Sequence, residues 1–266
     1  MIDLNDLENH SIYIVREAYA EFKKPAVLWS TGKDSTIMLW LCRKAFFGSI
    51  PFPVIHIDTG YKFEQMYQFR DELAKQWHLD LVIARNEKAL KEGISPQDGN
   101  LECCTRLKTE ALKECLYKYG FDALILAIRR DEHGIRAKER YFSPRDEDFK
   151  WDYTDQPLEM WDQYQGLTKE KAHMRIHPIL HWRELDVWEY VKSEKIPVNP
   201  MYFTKDRKRY RSLGCEPCTS PMESDASNVD EIIEELKCTR VAERSNRAQD
   251  KEKAFTMQKL RALGYM

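Results

Sequence analysis

The stretch Leu28-Trp29-Ser30-Thr31-Gly32-Lys33-Asp34-Ser35-Thr36 constrains the fold more than any other part of the chain. Before it, Pro25-Ala26-Val27-Leu28-Trp29 is short, apolar and β-prone; after it, Ile37, Met38, Leu41 and Ala45 recur at helical spacing. The stretch is therefore a tight strand-to-helix turn. Ser30, Thr31 and Gly32 are small enough for the backbone to curl and aim successive N–H groups into one concavity. Ser35 and Thr36 add hydroxyls, Lys33 adds a cation, and the helix N-terminus adds a field that favours anions. That is the chemistry of a phosphate cradle. It is not a Walker A loop, which needs G-x-x-x-x-G-K-[ST], because here a single glycine precedes the lysine and Asp34 follows it. The plain alternative is an ordinary turn, but the lysine–aspartate–hydroxyl run behind a β-prone segment favours phosphate.

The rest of the chain supplies the frame for such a turn. Residues 7–22 read as an amphipathic helix covering a sheet edge. An apolar strand, Phe52–Asp58, leads into Thr59-Gly60, and a helix from Phe63 to Trp77 precedes a strand over Asp80–Ala84. Residues 86–101 read as loop, 105–119 as helix and Asp122–Ile128 as strand. Alternating strands and helices predict an α/β fold with a doubly wound parallel sheet. In such sheets ligands bind beyond the carboxyl ends of the strands. The Lys33 loop, Asp58-Thr59-Gly60 and Arg129-Arg130-Asp131-Glu132 all fall at such ends, which predicts one shared site.

Residues 135–175 lose periodicity but are rich in charge and in Tyr141, Trp151, Tyr153, Trp161 and Tyr164, so an ordered excursion is expected. A last strand over Arg175–Leu180, a helix over Glu184–Lys195 and two helices, Val229–Cys238 and Ala248–Leu263, complete the reading. We divide the chain into an α/β part carrying the phosphate loop, 1–198, and a C-terminal segment, 199–266, whose helices pack on it. With 266 residues and a formal net charge of −2, no global field draws the protein to nucleic acid or membrane. No signal peptide or membrane span is visible, so a cytoplasmic protein is expected.

Seven cysteines in a reducing compartment point to metal or redox chemistry more than to disulfides. Cys103-Cys104 stands at a loop-to-helix junction, and Cys215-Glu216-Pro217-Cys218 lies in a turn. Adjacent thiols suit the face of a [4Fe–4S] cube better than one zinc ion. Zinc, or four reduced cysteines in a core, are the alternatives. Cys42, Cys115 and Cys238 fit apolar helix faces. The basic run Lys205, Arg207, Lys208, Arg209 and Arg211, with Phe203 and Tyr210, could track a phosphate backbone or bind a small anion; a solvated loop is the plain alternative.

The loop resembles the S-G-G-K-D-S pyrophosphate loop of N-type ATP pyrophosphatases, with Thr31 where that family usually has Ser or Gly. His56-Ile57-Asp58-Thr59-Gly60-Tyr61-Lys62-Phe63, Lys118–Ala123, Arg129–Glu132, Arg136–Arg140, Trp182–Tyr190 and Leu213-Gly214-Cys215 are similar to the small subunits of heterodimeric bacterial sulfate adenylyltransferases. The similarity covers nearly the whole chain and places it in the PAPS reductase/ATP sulfurylase superfamily. It implies an adenine nucleotide α-hydrolase-like fold that binds ATP with Mg²⁺. It also implies that Ser30, Thr31, Gly32, Lys33, Asp34, Ser35 and Thr36 hold the nucleotide, that Asp58 and Gly60 lie near the ribose or metal, and that Arg129 and Arg130 face the oxyanion.

Two departures shape the functional expectation. The subunits carry an insertion before Leu-Gly-Cys, whereas here Tyr202 runs directly to Leu213, and they lack the quartet Cys103, Cys104, Cys215 and Cys218. That quartet is similar to the cluster motif of adenylylsulfate reductases, which implies a C-terminal appendage bearing a [4Fe–4S] cluster. A reductase needs a cysteine nucleophile near its C-terminus, and none follows Cys238. The leading expectation is thus an ATP pyrophosphatase for sulfur incorporation, as in DNA phosphorothioation. It would work with a cysteine desulfurase or another sulfur donor, with DNA contacted through 205–211 and Arg207, Arg209 and Arg211 on the anion. The alternative is the sulfate adenylyltransferase small subunit with a GTPase partner. A PAPS/APS reductase and a non-enzymatic nucleotide scaffold rank below both.

Overall fold

The computed structural model describes residues 3–166, 173–245 and Arg247. The chain opens with α1 (Leu4–Glu21), whose N-cap Asp3 accepts from the Asn5 N–H. It continues through β1 (Pro25–Leu28), α2 (Lys33–Ala45), β2 (Val54–Ile57), α3 (Glu64–Gln76) and β3 (Leu81–Ala84). Next come α4 (Glu87–Lys91), α5 (Asn100–Cys104), α6 (Ala111–Tyr119) and β4 (Ala123–Ile125). Beyond these lie β5 (Phe142–Arg145), β6 (His173–Ile176), α7 (Glu184–Glu194), a small hairpin β7 (Lys208–Arg209) and β8 (Met222–Glu223), and α8 (Val229–Cys238).

The main sheet runs β3-β2-β1-β4-β6-β5. All neighbours pair parallel except β5, which lies antiparallel on β6 at the edge. Strand residues alternate between two cores, as a period of two requires. Val27, Val54, Ala123 and Ile125 face one core with residues of α1, α2, α3, α7 and α8. Ala26, Leu28, Ile55, Ile57 and Leu124 face the other, with Ala111, Leu112 and Leu116 of α6. Both faces are covered, which explains why these strands read as continuous apolar runs. The sheet is the doubly wound one expected. Tyr202, Ile232 and Ile233, from beyond residue 198, belong to the first core.

Several local expectations are corrected. Residues 86–101 are not simply loop: Asn86 caps α4 by accepting from the Ala89 N–H, and Ser95 and Asp98 box a short 3₁₀ turn. The expected helix over 105–119 begins as a π-helical turn, Thr105–Glu110, directly after Cys104. The last main-sheet strand starts earlier than expected, at His173, and the excursion before it contributes β5. Trp161, expected to pack, is 83% exposed, while Tyr164 does stack on Phe142. Cys238, expected in a core, is exposed. The helix expected over Ala248–Leu263 lies outside the described residues. Among the described residues no helix is long and apolar enough to cross a membrane.

Candidate functional site

The strand order changes direction between β1 and β4: the chain leaves β1 toward β2, and β4 lies on the other side. A crevice opens at the carboxyl ends of strands at such a switch point. The cavity found there is lined by Leu28, Trp29, Ile57, Leu126, Ala127 and Ile128 from the strand ends, and by Gly32 and Lys33 from the loop.

The loop is braced by its own hydroxyls. Ser35 Oγ accepts from the Ser30 N–H at 3.2 Å and donates to the Gly32 carbonyl at 3.1 Å. Thr36 Oγ1 donates to the same carbonyl at 2.9 Å and accepts from the Trp29 indole N–H at 3.1 Å. Thr31 sits at φ 63°, the left-handed region, which a β-branched side chain occupies only under strain. Its hydroxyl answers with a 2.6 Å bond to the Ser30 carbonyl. A Cβ at Gly32 would stand 3.3 Å from Ser30 Oγ and 3.4 Å from the Tyr202 hydroxyl, so these two side chains close in on the loop there. That hydroxyl, on a fully buried ring, accepts the Lys33 N–H at 2.8 Å. Sequence reasoning missed Tyr202, which lies 169 residues from the amide it caps and carries no local signal. Tyr202→Phe leaves a buried N–H without its acceptor. The expected loss of stability is about 1–3 kcal/mol, read as a lower urea midpoint with unchanged slope.

Lys33 is 1% exposed and its ammonium is held by Asp34 at 3.1 Å and by Glu243. Burial alone would lower its pKa, but Asp34 and Glu243 outweigh it and hold the lysine above its ordinary value. Arg129, fully buried, is gripped by Asp34 at 3.0 Å, Asp131 at 3.3 Å and Glu243. Glu243 therefore bridges the two cations. Burial pushes its carboxyl up, yet Arg129 and Lys33 prevail and hold it below the ordinary carboxylate range.

The expected anion residues part company. Arg129 joins the Lys33 cluster, but Arg130 turns away, donating to the Glu139 carbonyl at 3.2 Å with its guanidinium 5.5 Å from the Tyr141 ring centre. Adjacent residues on an extended chain point to opposite sides. Asp58 directly follows β2, but its carboxylate is engaged locally by the Tyr67 hydroxyl at 2.7 Å and by the N–H of Gly60, whose φ is 75°. The basic run is not one exposed surface. Arg207 faces solvent with Asp225, whereas Arg209 is buried on Glu235 at 2.5 Å and Arg211 is buried on Glu184 at 2.6 Å. Cations that do line the cavity are Lys62, Lys108, Arg136, Arg244 and Arg247. None of these five was assigned a role from sequence.

Cys103, Cys104, Cys215 and Cys218 are all buried, and the other three all press the Cys103 thiol upward, to about 12, after burial itself. Cys215 differs. Burial raises it, but Lys108, Lys62, the Thr59 hydroxyl at 3.2 Å and Arg247 bring it down to about 7. The donors are those of a thiolate-ligated centre, and the four thiols act on one another electrostatically. Among the described residues no group of three or more His, Cys, Asp or Glu is placed to hold a metal ion. The expected [4Fe–4S] cluster is thus without structural support.

The sequence profile described as "Phosphoadenosine phosphosulfate reductase domain" matches residues 24–221. The chain is 40% identical to sulfate adenylyltransferase subunit 2 of Pseudomonas paraeruginosa, over 98% of this chain and 97% of that protein. Subunit 2 from Serratia proteamaculans is likewise 40% identical, with the same coverage. The Pseudomonas alignment runs over 297 positions, more than the 266 of this chain, so that relative carries residues missing here. Among solved structures, PAPS reductase from Candida auris in a phosphate complex superposes with a TM-score of 0.58 at 16% identity, over 82% of this chain and 96% of that one. FMN adenylyltransferase from Candida glabrata gives 0.59 at 16% identity, over 82% and 65%. At such identities these two establish the shared α/β fold.

Proposed function

The chain belongs to the phosphoadenosine phosphosulfate reductase domain family, and on that premise we propose that it is the ATP-using small subunit of a two-subunit sulfate adenylyltransferase. The end-to-end 40% identity with subunit 2 of that enzyme carries the reading. A sulfate oxygen attacks the α-phosphorus of ATP, the bond to the β-phosphate oxygen breaks, and pyrophosphate leaves with the electron pair. The Lys33 loop binds the β- and γ-phosphates. Lys33, itself buried, offsets the charge that grows on the leaving pyrophosphate. Mg²⁺ arrives with ATP as part of the substrate. Formation of adenylylsulfate is uphill, so a GTPase large subunit supplies the drive; the relatives' name, subunit 2, is that of one subunit among at least two.

Thiolation of DNA with a cysteine desulfurase loses ground on two counts. The relatives named above are sulfate-activating subunits, and the backbone-tracking surface it needs is broken by the inward turn of Arg209 and Arg211. The observation that still favours sulfur chemistry is the buried quartet with its acidic Cys215. One assay separates the readings: protein, ATP, Mg²⁺ and sulfate, with and without a sulfate-activating GTPase subunit. Adenylylsulfate and pyrophosphate should appear in equal amounts, depend on sulfate, rise with the GTPase and vanish with a chelator. Pyrophosphate release indifferent to sulfate, from protein carrying iron and acid-labile sulfide, would transfer the assignment to the thiolation reading.

A further inference from the structure

One buried carboxylate stands where the proposed reaction needs none. Glu243 bridges Lys33, part of the loop that would take the triphosphate, and Arg129, which also holds Asp34 of that loop. Its side chain is 5% exposed. It arrives on a short segment pinned along the mouth of the crevice. The Val241 carbonyl accepts from Arg211 at 2.7 Å, Arg244 donates to Glu132 at 2.8 Å, and Arg247 donates to the Thr219 hydroxyl at 3.2 Å. Arg247 also lies across Gly214, so closely that a Cβ there would fall 2.0 Å from the guanidinium. With Arg244 and Arg247 in its wall, the cavity measures about 170 Å³, below the roughly 300–1,000 Å³ of sites that enclose drug-sized ligands.

We propose that Glu243 is a built-in anion that occupies the phosphate site of the nucleotide-free protein, and that ATP binds by displacing it and lifting the 241–245 segment from the crevice. The inference rests on the ATP reading above. The argument is one of charge. A triphosphate at the loop would bring its oxygens against a carboxylate that already holds both cations, and like charges at contact in a buried site repel strongly. The phosphate oxygens offer Lys33 and Arg129 the same charge-assisted bonds as the carboxylate, with more negative charge, so exchange conserves the pairing of both cations. The displaced carboxylate regains water, and removing the segment enlarges the cavity. Glu243 thus competes with every anion that enters, and small anions bind weakly unless they out-compete it.

The test uses the full-length protein with inorganic pyrophosphate and ATP as probes at pH 7. Glu243→Gln keeps the shape and removes the charge. It should bind pyrophosphate at least about tenfold more tightly than wild type by calorimetry, the worth of one charge-assisted contact. Hydrogen exchange on the wild type supplies a readout that needs no variant: amides of 240–245 should exchange faster when pyrophosphate is bound. Equal or weaker binding by Glu243→Gln, or slower exchange in the bound wild type, would overturn the inference while leaving the ATP reading intact. If neither protein binds pyrophosphate or ATP, the ATP reading itself fails and takes this one with it.

Discussion

Lys33→Ala is expected to lower kcat/KM for adenylyl transfer from ATP by about 100- to 1000-fold, the cost typical of removing a preorganised group that stabilises charge developing in the transition state. Two features make the expected loss large. The ammonium is 1% exposed, so its field is poorly screened compared with a surface lysine. Its removal also leaves Asp34 and Glu243 with Arg129 as the remaining cation in direct contact with both. The measurement is pyrophosphate release under sulfate with the GTPase subunit present, alongside circular dichroism to show that the variant is folded. Lys33→Arg should not rescue, because a planar fork cannot replace a compact ammonium in a closed site. Unchanged kcat/KM in Lys33→Ala would remove the loop from the reaction.

The turn that carries Lys33 was legible in the sequence because its determinants follow one another directly along the chain from Pro25 to Thr36: a β-prone run, small residues, then hydroxyls at the start of a helix. The strands β1, β2 and β4 were legible for a related reason, since both faces are buried and the residues are apolar except for His56 in β2. The edge strand β5 was not. Phe142-Ser143-Pro144-Arg145 contains a proline, which is tolerated at an edge but signals against a strand, and a buried arginine pairs with Glu139 rather than with solvent. Local reading also failed where partners are distant. Tyr202 and Glu243 reach Lys33 from 169 and 210 residues away. Nothing in their own neighbourhoods marks them. The basic run misled for a geometric reason: around the β7 hairpin alternate residues face opposite ways, so Arg209 turns inward while Lys208 stays exposed.

Arg211 offers the sharpest contrast between the two readings of that run. As an anion-binding residue it could be removed with little loss of stability; as the structure has it, it cannot. Its Nε lies 3.0 Å from Glu184 Oε1 and its NH2 2.6 Å from Oε2, a two-pronged pair, while NH1 donates to the Val241 carbonyl. Both side chains are at most 10% exposed. Burial, and then Glu243, push the Glu184 carboxyl upward, with Arg211 opposing them. Arg211→Ala therefore strands a buried carboxylate beside another, and the expected cost is about 3–5 kcal/mol of unfolding free energy. Arg207→Ala, at a side chain 86% exposed, should stay within about 0.5 kcal/mol of wild type. The decisive arm is the double variant Arg211→Met with Glu184→Leu. Replacing both members of a buried pair by apolar groups of similar volume is often neutral or stabilising, so most of the single-variant loss should return in urea unfolding. If Arg211→Ala instead unfolds like wild type but no longer binds a small oxyanion, the residue belongs to the substrate after all, and the ion pair is a bystander.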